Sequence, residues 1–280
     1  EGQMDVVLIP AFNRPEMLYL CLTHIVKARH YNEHYYLLCL DYGHDPACED
    51  VFNQFGLHGG VIKMPHPRNR VTKQSANVLN AWCAGAAQST GLVYLIEDDV
   101  LINEDYFHFH RSVNQFGWCS IGAVNFNDRR ELSMHTDEYY ISRGVYQSIG
   151  VCFCRDVILQ DIRNHYNQSY IDFPSQYLAR QFPYSKIGTS FIEQDGLIHR
   201  ISEQGDKAVI FPMHPRCFHA GLYGKNRGRY QSGTLQERID FVKSVVYSEE
   251  ELRKHVSDEY FIYDSKPQPN TQYYGHYKEV

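Results

Sequence analysis

Three consecutive carboxylates, Glu97, Asp98 and Asp99, come directly after a short apolar run at residues 93–96. The run is rich in residues that favour β-structure, which predicts a strand buried on both faces. Because unpaired buried charges are very costly, the three acids must lie at the strand's end, facing water or a cation. Adjacent carboxylates can hold a hard divalent cation and still leave coordination positions for phosphate oxygens. We therefore predict a metal site here, with a solvated acidic turn as the alternative.

A second acidic cluster, Glu193 and Asp195, opens a predicted helix over residues 193–204. A carboxylate within hydrogen-bond reach of a substrate hydroxyl can act as a general base. The alternative is that both acids only complement the positive end of the helix dipole. Two cations, Arg70 and Lys73, lie in the basic loop PHPRNRVTK. They are natural phosphate partners, although a solvated basic loop has the same composition.

The elements before residue 100 alternate between strands and helices. Apolar runs predict strands at residues 5–10, 35–40, 61–64 and 93–96. Helical spacing predicts helices after Pro15 and at about 45–55 and 74–87. Asn13 and Glu16 have capping-box spacing, and Gly59-Gly60 is expected to end the second helix. This order implies a parallel, doubly wound sheet, in which ligands bind at the carboxyl ends of the strands.

The pattern after residue 100 is looser. Helices are predicted at 104–116, 156–164, 175–181 and 193–204, and strands at 119–126, 208–212 and twice within 139–154. Residues 128–137 are charged and turn-like, and Thr234 and Glu237 have the spacing of a capping box before an amphipathic helix. We divide the chain into 4–105, 106–263 and a polar tail, 264–280, that is expected to be mobile.

Composition excludes several classes of protein. A formal net charge of −6 gives no overall field favouring nucleic acid. No segment approaches the roughly 20 apolar residues of a membrane span, and because the first strand begins almost at once we expect no leader. The eight cysteines form no CxxC pair, which argues against zinc and favours a reduced, intracellular protein. We expect a cytoplasmic protein; a luminal domain whose anchor has been removed is the alternative.

Three motifs together resemble the glycosyltransferases of the GT-A fold: VVLIPAFNRP, then LLCLDYG, then VYLIEDDV. The EDD form looks like the variant seen in some inverting N-acetylglucosaminyltransferases. The resemblance covers residues 4–105 well and 190–225 more loosely, and departs from many members at residues 76–79, which read ANVL in place of Arg-Asn-x-Gly. It implies an α/β, Rossmann-like GT-A fold, with a mostly parallel doubly wound sheet and a smaller mixed part. Residues 4–105 would bind the nucleotide-sugar, and 106–263 would form the acceptor-binding and catalytic half.

The resemblance also assigns residues to the donor nucleotide. Pro10, Ala11 and Arg14 would line the nucleoside pocket. Asp41 would meet the nucleobase, as the equivalent Asp does in members that use a uracil nucleotide; a turn or cap acid is the alternative for Asp41. Arg70 and Lys73 would reach the diphosphate.

The resemblance assigns the metal and the base as well. Asp99 would chelate the metal, Asp98 would lie near the ribose or a metal-bound water, and Glu97 would support the metal ligands. His219 would be a further ligand, and its imidazole suits Mn²⁺ better than Mg²⁺. Asp195 would be the general base with Glu193 in reserve, and Gln194 replaces the usual Glu. HAGLYGK, at residues 219–225, also partly resembles the HxxGxxK stretch of retaining members.

These residues predict a metal-dependent glycosyltransferase, using Mn²⁺ or Mg²⁺, that moves a sugar from a UDP-sugar to a glycan or other hydroxyl acceptor with inversion. Tyr139, Tyr140 and Tyr146 could stack on the acceptor, whereas Trp82 and Trp118 are expected in the core. A sugar nucleotidyltransferase is one alternative, although PAFNRPE lacks the glycines of a triphosphate loop. A non-catalytic carbohydrate-binding protein on the same scaffold is the other.

Overall fold

An eight-stranded sheet with helices packed against it forms the core of the computed structural model, which describes residues 3–66, 73–123, 138–221 and 232–255. The strands in these residues are β1 (Asp5–Ala11), β2 (His34–Leu40), β3 (Gly59–Lys63), β4 (Leu92–Leu95), β5 (Val100–Ile102), β6 (Cys119–Ile121), β7 (Tyr139–Arg143), β8 (Val151–Cys154), β9 (Ala208–Pro212) and β10 (Cys217–His219). The α-helices are α1 (Pro15–Ile25), α2 (Ala47–Gln54), α3 (Lys73–Gln88), α4 (Tyr106–Val113), α5 (Arg155–Val157), α6 (Gln168–Asp172), α7 (Pro174–Gln181), α8 (Gln194–Gln204), α9 (Leu235–Val246) and α10 (Glu249–His255). Helix α5 continues as a π-helical turn, Ile158–Ile162, and a 3₁₀ turn, Arg163–His165.

The strand order in the large sheet is β3-β2-β1-β4-β8-β6-β9-β7. The first four strands are parallel, as the sequence predicts, and β8 and β7 run against their neighbours. The predicted α/β fold with a mostly parallel sheet is therefore confirmed. Because β4 pairs directly with β8, the sheet is continuous across the boundary that we expected near residue 105.

The central strands are apolar on both faces because both faces are buried. All seven residues of β1 are buried, and α3 packs across β1 and β2. Trp82 of α3 is fully buried and meets Phe153 of β8 edge to face, with ring centroids 5.1 Å apart. Trp118 approaches the same ring and is also buried. The prediction that both tryptophans belong to the core is confirmed.

A small second sheet was not predicted. Residues Val100–Ile102 of β5 pair antiparallel with Cys217–His219 of β10, which sets His219 opposite Val100. The backbone N–H of Ala220 then donates to the carbonyl of Asp99 at 2.8 Å. This pairing joins the acidic segment after β4 to a segment 120 residues later in the chain.

Some local predictions need correction. The residue before α1 is Arg14, and no side chain caps that helix, so the predicted Asn13–Glu16 capping box is wrong. Gly59 and Gly60 begin β3 instead of ending α2. The capping box at Thr234 and Glu237 is confirmed. The charged segment 128–137 and the tail 264–280 lie outside the described residues. Within the described residues, no helix is both long enough and apolar enough to cross a membrane.

Candidate active site

The carboxyl ends of β1, β2 and β4 meet at one edge of the sheet. The backbone N–H of Asp41, which follows β2, donates to the carbonyl of Ala11 at 3.2 Å. The N–H of Asp98, which follows β4, donates to the carbonyl of Pro10 at 3.3 Å. These two bonds extend the parallel pairing beyond the strands, so that both acidic segments lie beside the end of β1.

Arg14 forms ion pairs with two of the three clustered acids. Its Nε and Nη2 atoms donate to the two carboxylate oxygens of Asp98, and its Nη1 donates to Oδ2 of Asp99 at 2.9 Å. The side chains of Asp98 and Asp99 are only 4% and 7% exposed. Arg14 was predicted to line the nucleoside pocket, whereas its guanidinium faces the acidic cluster. Charged pairs of this kind are strong because the fork of a guanidinium matches a carboxylate.

His219 lies next to Asp99, as a shared metal site requires. The pairing of β5 with β10 holds the imidazole Nε2 atom 3.1 Å from Oδ2 of Asp99. Gly221 packs against both side chains: a Cβ at this position would lie 3.0 Å from Nε2 of His219 and 3.2 Å from Oδ2 of Asp99. A side chain here would therefore push the two apart.

The electrostatics of the cluster are dominated by burial and by an excess of negative charge. Burial, reinforced by Asp99 and Asp98, raises the pKa of Glu97 to about 8. Burial also raises the pKa of Asp98 to about 6, and Arg14 only partly offsets this effect. Burial alone would raise the pKa of Asp99 too, but Arg14 and His219 outweigh it and hold that pKa below its ordinary range. An additional cation would stabilise the ionised form of the whole cluster.

The donor atoms around Asp99 suit a divalent cation. Its Oδ1 atom is buried and accepts no hydrogen bond from the described residues. Carboxylate oxygen and imidazole nitrogen are both good ligands for Mn²⁺. No group of three or more His, Cys, Asp or Glu side chains in the described chain is arranged to hold a metal ion. Asp99 and His219 are therefore the two adjacent candidate ligands, Glu97 is not grouped with them, and a cation held by these two would need water or phosphate to complete its coordination.

Asp195 is held by a hydrogen-bonded connection between α3 and α8. The buried Oγ of Ser75, on α3, accepts the backbone N–H of Gln194 at 2.9 Å. Ser75 also lies beside the phenol of Tyr170, which donates to the carbonyl of Ile192 at 2.7 Å. The last residues before α8 and its first turn are thus fixed from α3 and α6.

A buried arginine supports the same segment from the other side. Nη1 of Arg200 donates to the carbonyls of Phe191 and Gly196, and Nη2 donates to that of Gly188 at 3.1 Å. Gly196 is required at this turn, because a Cβ there would lie 2.3 Å from the carbonyl oxygen of Phe191. The backbone around Asp195 is therefore tightly constrained.

The carboxylate of Asp195 lies close enough to the acidic cluster to raise the pKa of Glu97. Its own pKa is raised, mainly by burial and further by Glu193. Glu193 is the residue before α8, and its side chain makes no capping hydrogen bond. Asp195 is thus a half-buried carboxylate with an increased proton affinity on the same side of the molecule as the EDD segment.

The remaining predicted residues divide into three groups. Asp41 is buried, and its Oδ1 accepts the N–H of Tyr42 at 2.8 Å, as the alternative of a turn acid predicts. Arg70 and the side chain of Lys73 lie outside the described residues. Tyr140 stacks on Phe211 in the core, so it offers no stacking face.

The other two tyrosines are also occupied. Tyr146 is buried against Phe153, and the ring of Tyr139 stacks on Phe116 at a centroid distance of 5.8 Å. The expectation of a sugar-stacking platform is therefore wrong for Tyr140 and Tyr146.

The predicted site residues do not include those that hold the site together, notably Ser75, Tyr170, Arg200 and Gly221. A glycine two residues after a candidate ligand, His219, is a usable signal for Gly221. Ser75 and Arg200 carry no comparable signal, because their partners are 119 and up to 12 residues away in sequence.

The sheet order and this edge define the chain's fold as the GT-A fold of glycosyltransferases. The galactosyltransferase LgtC, solved with donor and acceptor sugar analogues, is similar over 90% of this chain and 100% of its own, with a TM-score of 0.50 and 13% sequence identity. At that identity the similarity establishes the fold alone. No protein-family model and no curated protein matches the sequence.

Two further solved structures match less well. TarS of S. aureus, residues 1–349, has a TM-score of 0.48 and 8% identity, with 94% of this chain and 72% of that chain covered. The mannosyltransferase PcManGT of Pyrobaculum calidifontis, solved with GDP-Man and Mn²⁺, has a TM-score of 0.46 and 9% identity, with 96% and 77% covered.

Proposed function

We propose that this chain is a glycosyltransferase that moves a sugar from a nucleotide-diphosphate sugar to a hydroxyl group. The observation that supports this most is the meeting of the EDD acids, Arg14 and His219 at the carboxyl edge of a GT-A sheet, close to a constrained carboxylate, Asp195. The two sets of groups match the two needs of the reaction, which are charge stabilisation on the departing diphosphate and proton removal from the acceptor.

Asp99 and His219 would hold a divalent cation, Mn²⁺ in preference to Mg²⁺ because imidazole is one ligand. When bound, this cation would neutralise charge that develops on the diphosphate. Asp98 is already engaged by Arg14 and would keep that guanidinium beside the cation site. Arg70, three residues before α3 in the sequence, and Lys73, the first residue of α3, are the proposed further contacts to the diphosphate.

Asp195 is the proposed general base. As the acceptor oxygen forms its bond to the anomeric carbon, the bond from that carbon to the diphosphate breaks, and the acceptor's proton passes to the Asp195 carboxylate. The raised pKa of Asp195 makes it a better proton acceptor than an ordinary carboxylate. Direct attack by the acceptor inverts the anomeric carbon. Glu193 is the reserve base. The choice of a UDP-sugar rests on the proposed role of Asp41 in contacting the nucleobase.

The test is incubation with a panel of UDP-sugars and Mn²⁺, with release of UDP and formation of product measured together. Asp195→Asn is the paired variant, since it keeps the size of the side chain and removes the base. We expect it to bind donor as the wild type does and to lose turnover. No UDP release from any donor, with or without acceptors, would contradict the proposal. Pyrophosphate release from a nucleoside triphosphate and a sugar phosphate would favour a nucleotidyltransferase instead.

A further inference from the structure

Arg14 uses its donors unequally on the two acids. It grips Asp98 through both Nε and Nη2 but reaches Asp99 through Nη1 alone. The single oxygen that it contacts on Asp99, Oδ2, is also the one next to Nε2 of His219. The contact to Asp99 can therefore be broken while the fork on Asp98 stays in place.

A divalent cation bound by Asp99 and His219 would compete with Nη1 of Arg14. Nη1 already contacts Oδ2, the oxygen next to Nε2 of His219, so a cation held between Asp99 and His219 would lie close to the guanidinium. Two positive groups at one carboxylate repel each other. The side chains of Asp98 and Asp99 are almost fully buried, so solvent screens this repulsion only weakly. The same burial means that removing every cation would leave the carboxylates unpaired, which is costly.

We propose that Arg14 is a positioning residue that serves as an exchangeable internal cation of the acidic cluster. It holds Asp98 and Asp99 in place, and it withdraws Nη1 from Asp99 when a divalent cation binds Asp99 and His219, while the fork on Asp98 remains. This inference rests on the proposed metal-dependent function. Its consequence is that Arg14 weakens metal binding by the free protein and stabilises the protein without metal.

The test measures Mn²⁺ affinity in the absence of donor, by electron paramagnetic resonance of the unbound ion. The variants are Arg14→Gln, which removes the charge, and Arg14→Lys, which keeps the charge but cannot form the fork. Arg111→Gln is the matched control. Arg111 also bridges two acids, Glu33 and Asp5, but at the start of the strands.

We expect Arg14→Gln to bind Mn²⁺ about tenfold more tightly than the wild type or better, Arg14→Lys to fall between, and Arg111→Gln to match the wild type. In EDTA the melting temperature of Arg14→Gln should fall, and saturating Mn²⁺ should raise it by more than it raises that of the wild type. If Arg14→Gln does not fold without metal, the Mn²⁺ affinity and melting temperature of Arg14→Lys are compared with those of the wild type instead.

Equal or weaker Mn²⁺ binding by a folded Arg14→Gln would overturn the inference, because Arg14 would then only orient the carboxylates. Absence of Mn²⁺ binding in every variant would overturn it too. That second result leaves glycosyl transfer open, since UDP release can be measured separately on protein treated with EDTA. Asp99→Asn added to each background should abolish Mn²⁺ binding; Mn²⁺ binding that survives this change would place the ion elsewhere and contradict the inference.

Discussion

Replacing Ser75 with alanine should loosen the attachment of the proposed base, Asp195, to the rest of the site. Ser75 is fully buried and provides the acceptor for the N–H of Gln194. The backbone of Gln194 is enclosed by its own buried side chain and by α3, so water cannot easily replace the lost acceptor. A buried donor without a partner costs about 1–3 kcal/mol of unfolding free energy. For a chain of 280 residues, this corresponds to a fall in melting temperature of roughly 2–5 °C.

The effect on catalysis should exceed that modest loss of stability. Gln194 directly precedes Asp195, and Ser75 also contacts Tyr170, which fixes Ile192. A small displacement of a reacting group can lower a rate by about 10²-fold. We expect Ser75→Ala to lower kcat at least about tenfold and to change donor binding little, because the EDD cluster is anchored independently. Steady-state kinetics at saturating donor and acceptor would measure this.

Ser120→Ala is the control that separates stability from positioning. Ser120 is equally buried and hydrogen-bonds two side chains, His110 and Asn114, that belong to neither acidic cluster. The Ser120→Ala variant should lose a similar amount of unfolding free energy and keep the wild-type kcat. The reasoning would be refuted if Ser75→Ala and Ser120→Ala lowered kcat to the same extent, or if Ser75→Ala melted and turned over like the wild type.

Three further predictions concern single groups of the site. Because the pKa of Asp195 is raised, the acid limb of the kcat/KM pH profile should lie above the ordinary aspartate range near 4. Activity should rise along this limb as the carboxylate loses its proton. An acid limb at or below pH 4 would count against Asp195 as the base. Gly221→Ala should weaken Mn²⁺ binding about tenfold, because the added Cβ would force His219 away from Asp99. A Mn²⁺ titration monitored by electron paramagnetic resonance would measure this. Unchanged affinity would contradict a role for the Asp99–His219 contact in metal binding. Without metal, the pKa of Glu97 near 8 means that the folded chain keeps a proton that the unfolded chain has released. The free energy of unfolding should therefore fall between about pH 4.5 and 8, by at most about 1.4 kcal/mol per pH unit. Urea denaturation at several pH values should show this dependence for the wild type and a weaker one for Glu97→Gln. The same pH dependence in both proteins would contradict the prediction.

The first half of the fold could be predicted from the sequence because its signals are local. β1 and β2 are continuous apolar runs, and α3 has a clear apolar stripe; each is long enough to be recognised alone. β5 and β10 have three residues each, and their structure comes from pairing with one another. No local pattern predicts such a pair.

The candidate site could be predicted in its residue types but not in its contacts. The position of Asp99 at the end of an apolar run, and of Asp195 at a helix start, follows from short-range pattern. The partners of Arg14 cannot be predicted in this way, because the acids that it binds lie 84 and 85 residues further along the chain. A guanidinium after a strand suits a phosphate and a carboxylate equally well, and only the fold decides between them.

Two narrow connections join the parts of this site. The β5–β10 pair brings His219 to Asp99, and the bond between Ser75 and Gln194 fixes the start of the Asp195 helix to α3. The large sheet determines where the acidic segments lie but makes neither connection itself. Substitutions at the connections should therefore change metal affinity or kcat separately while the sheet stays folded. The first connection positions the proposed metal ligand His219, and the second positions the proposed base, Asp195. Loss of the first should therefore lower metal affinity and leave the contribution of Asp195 to kcat intact, and loss of the second should do the reverse.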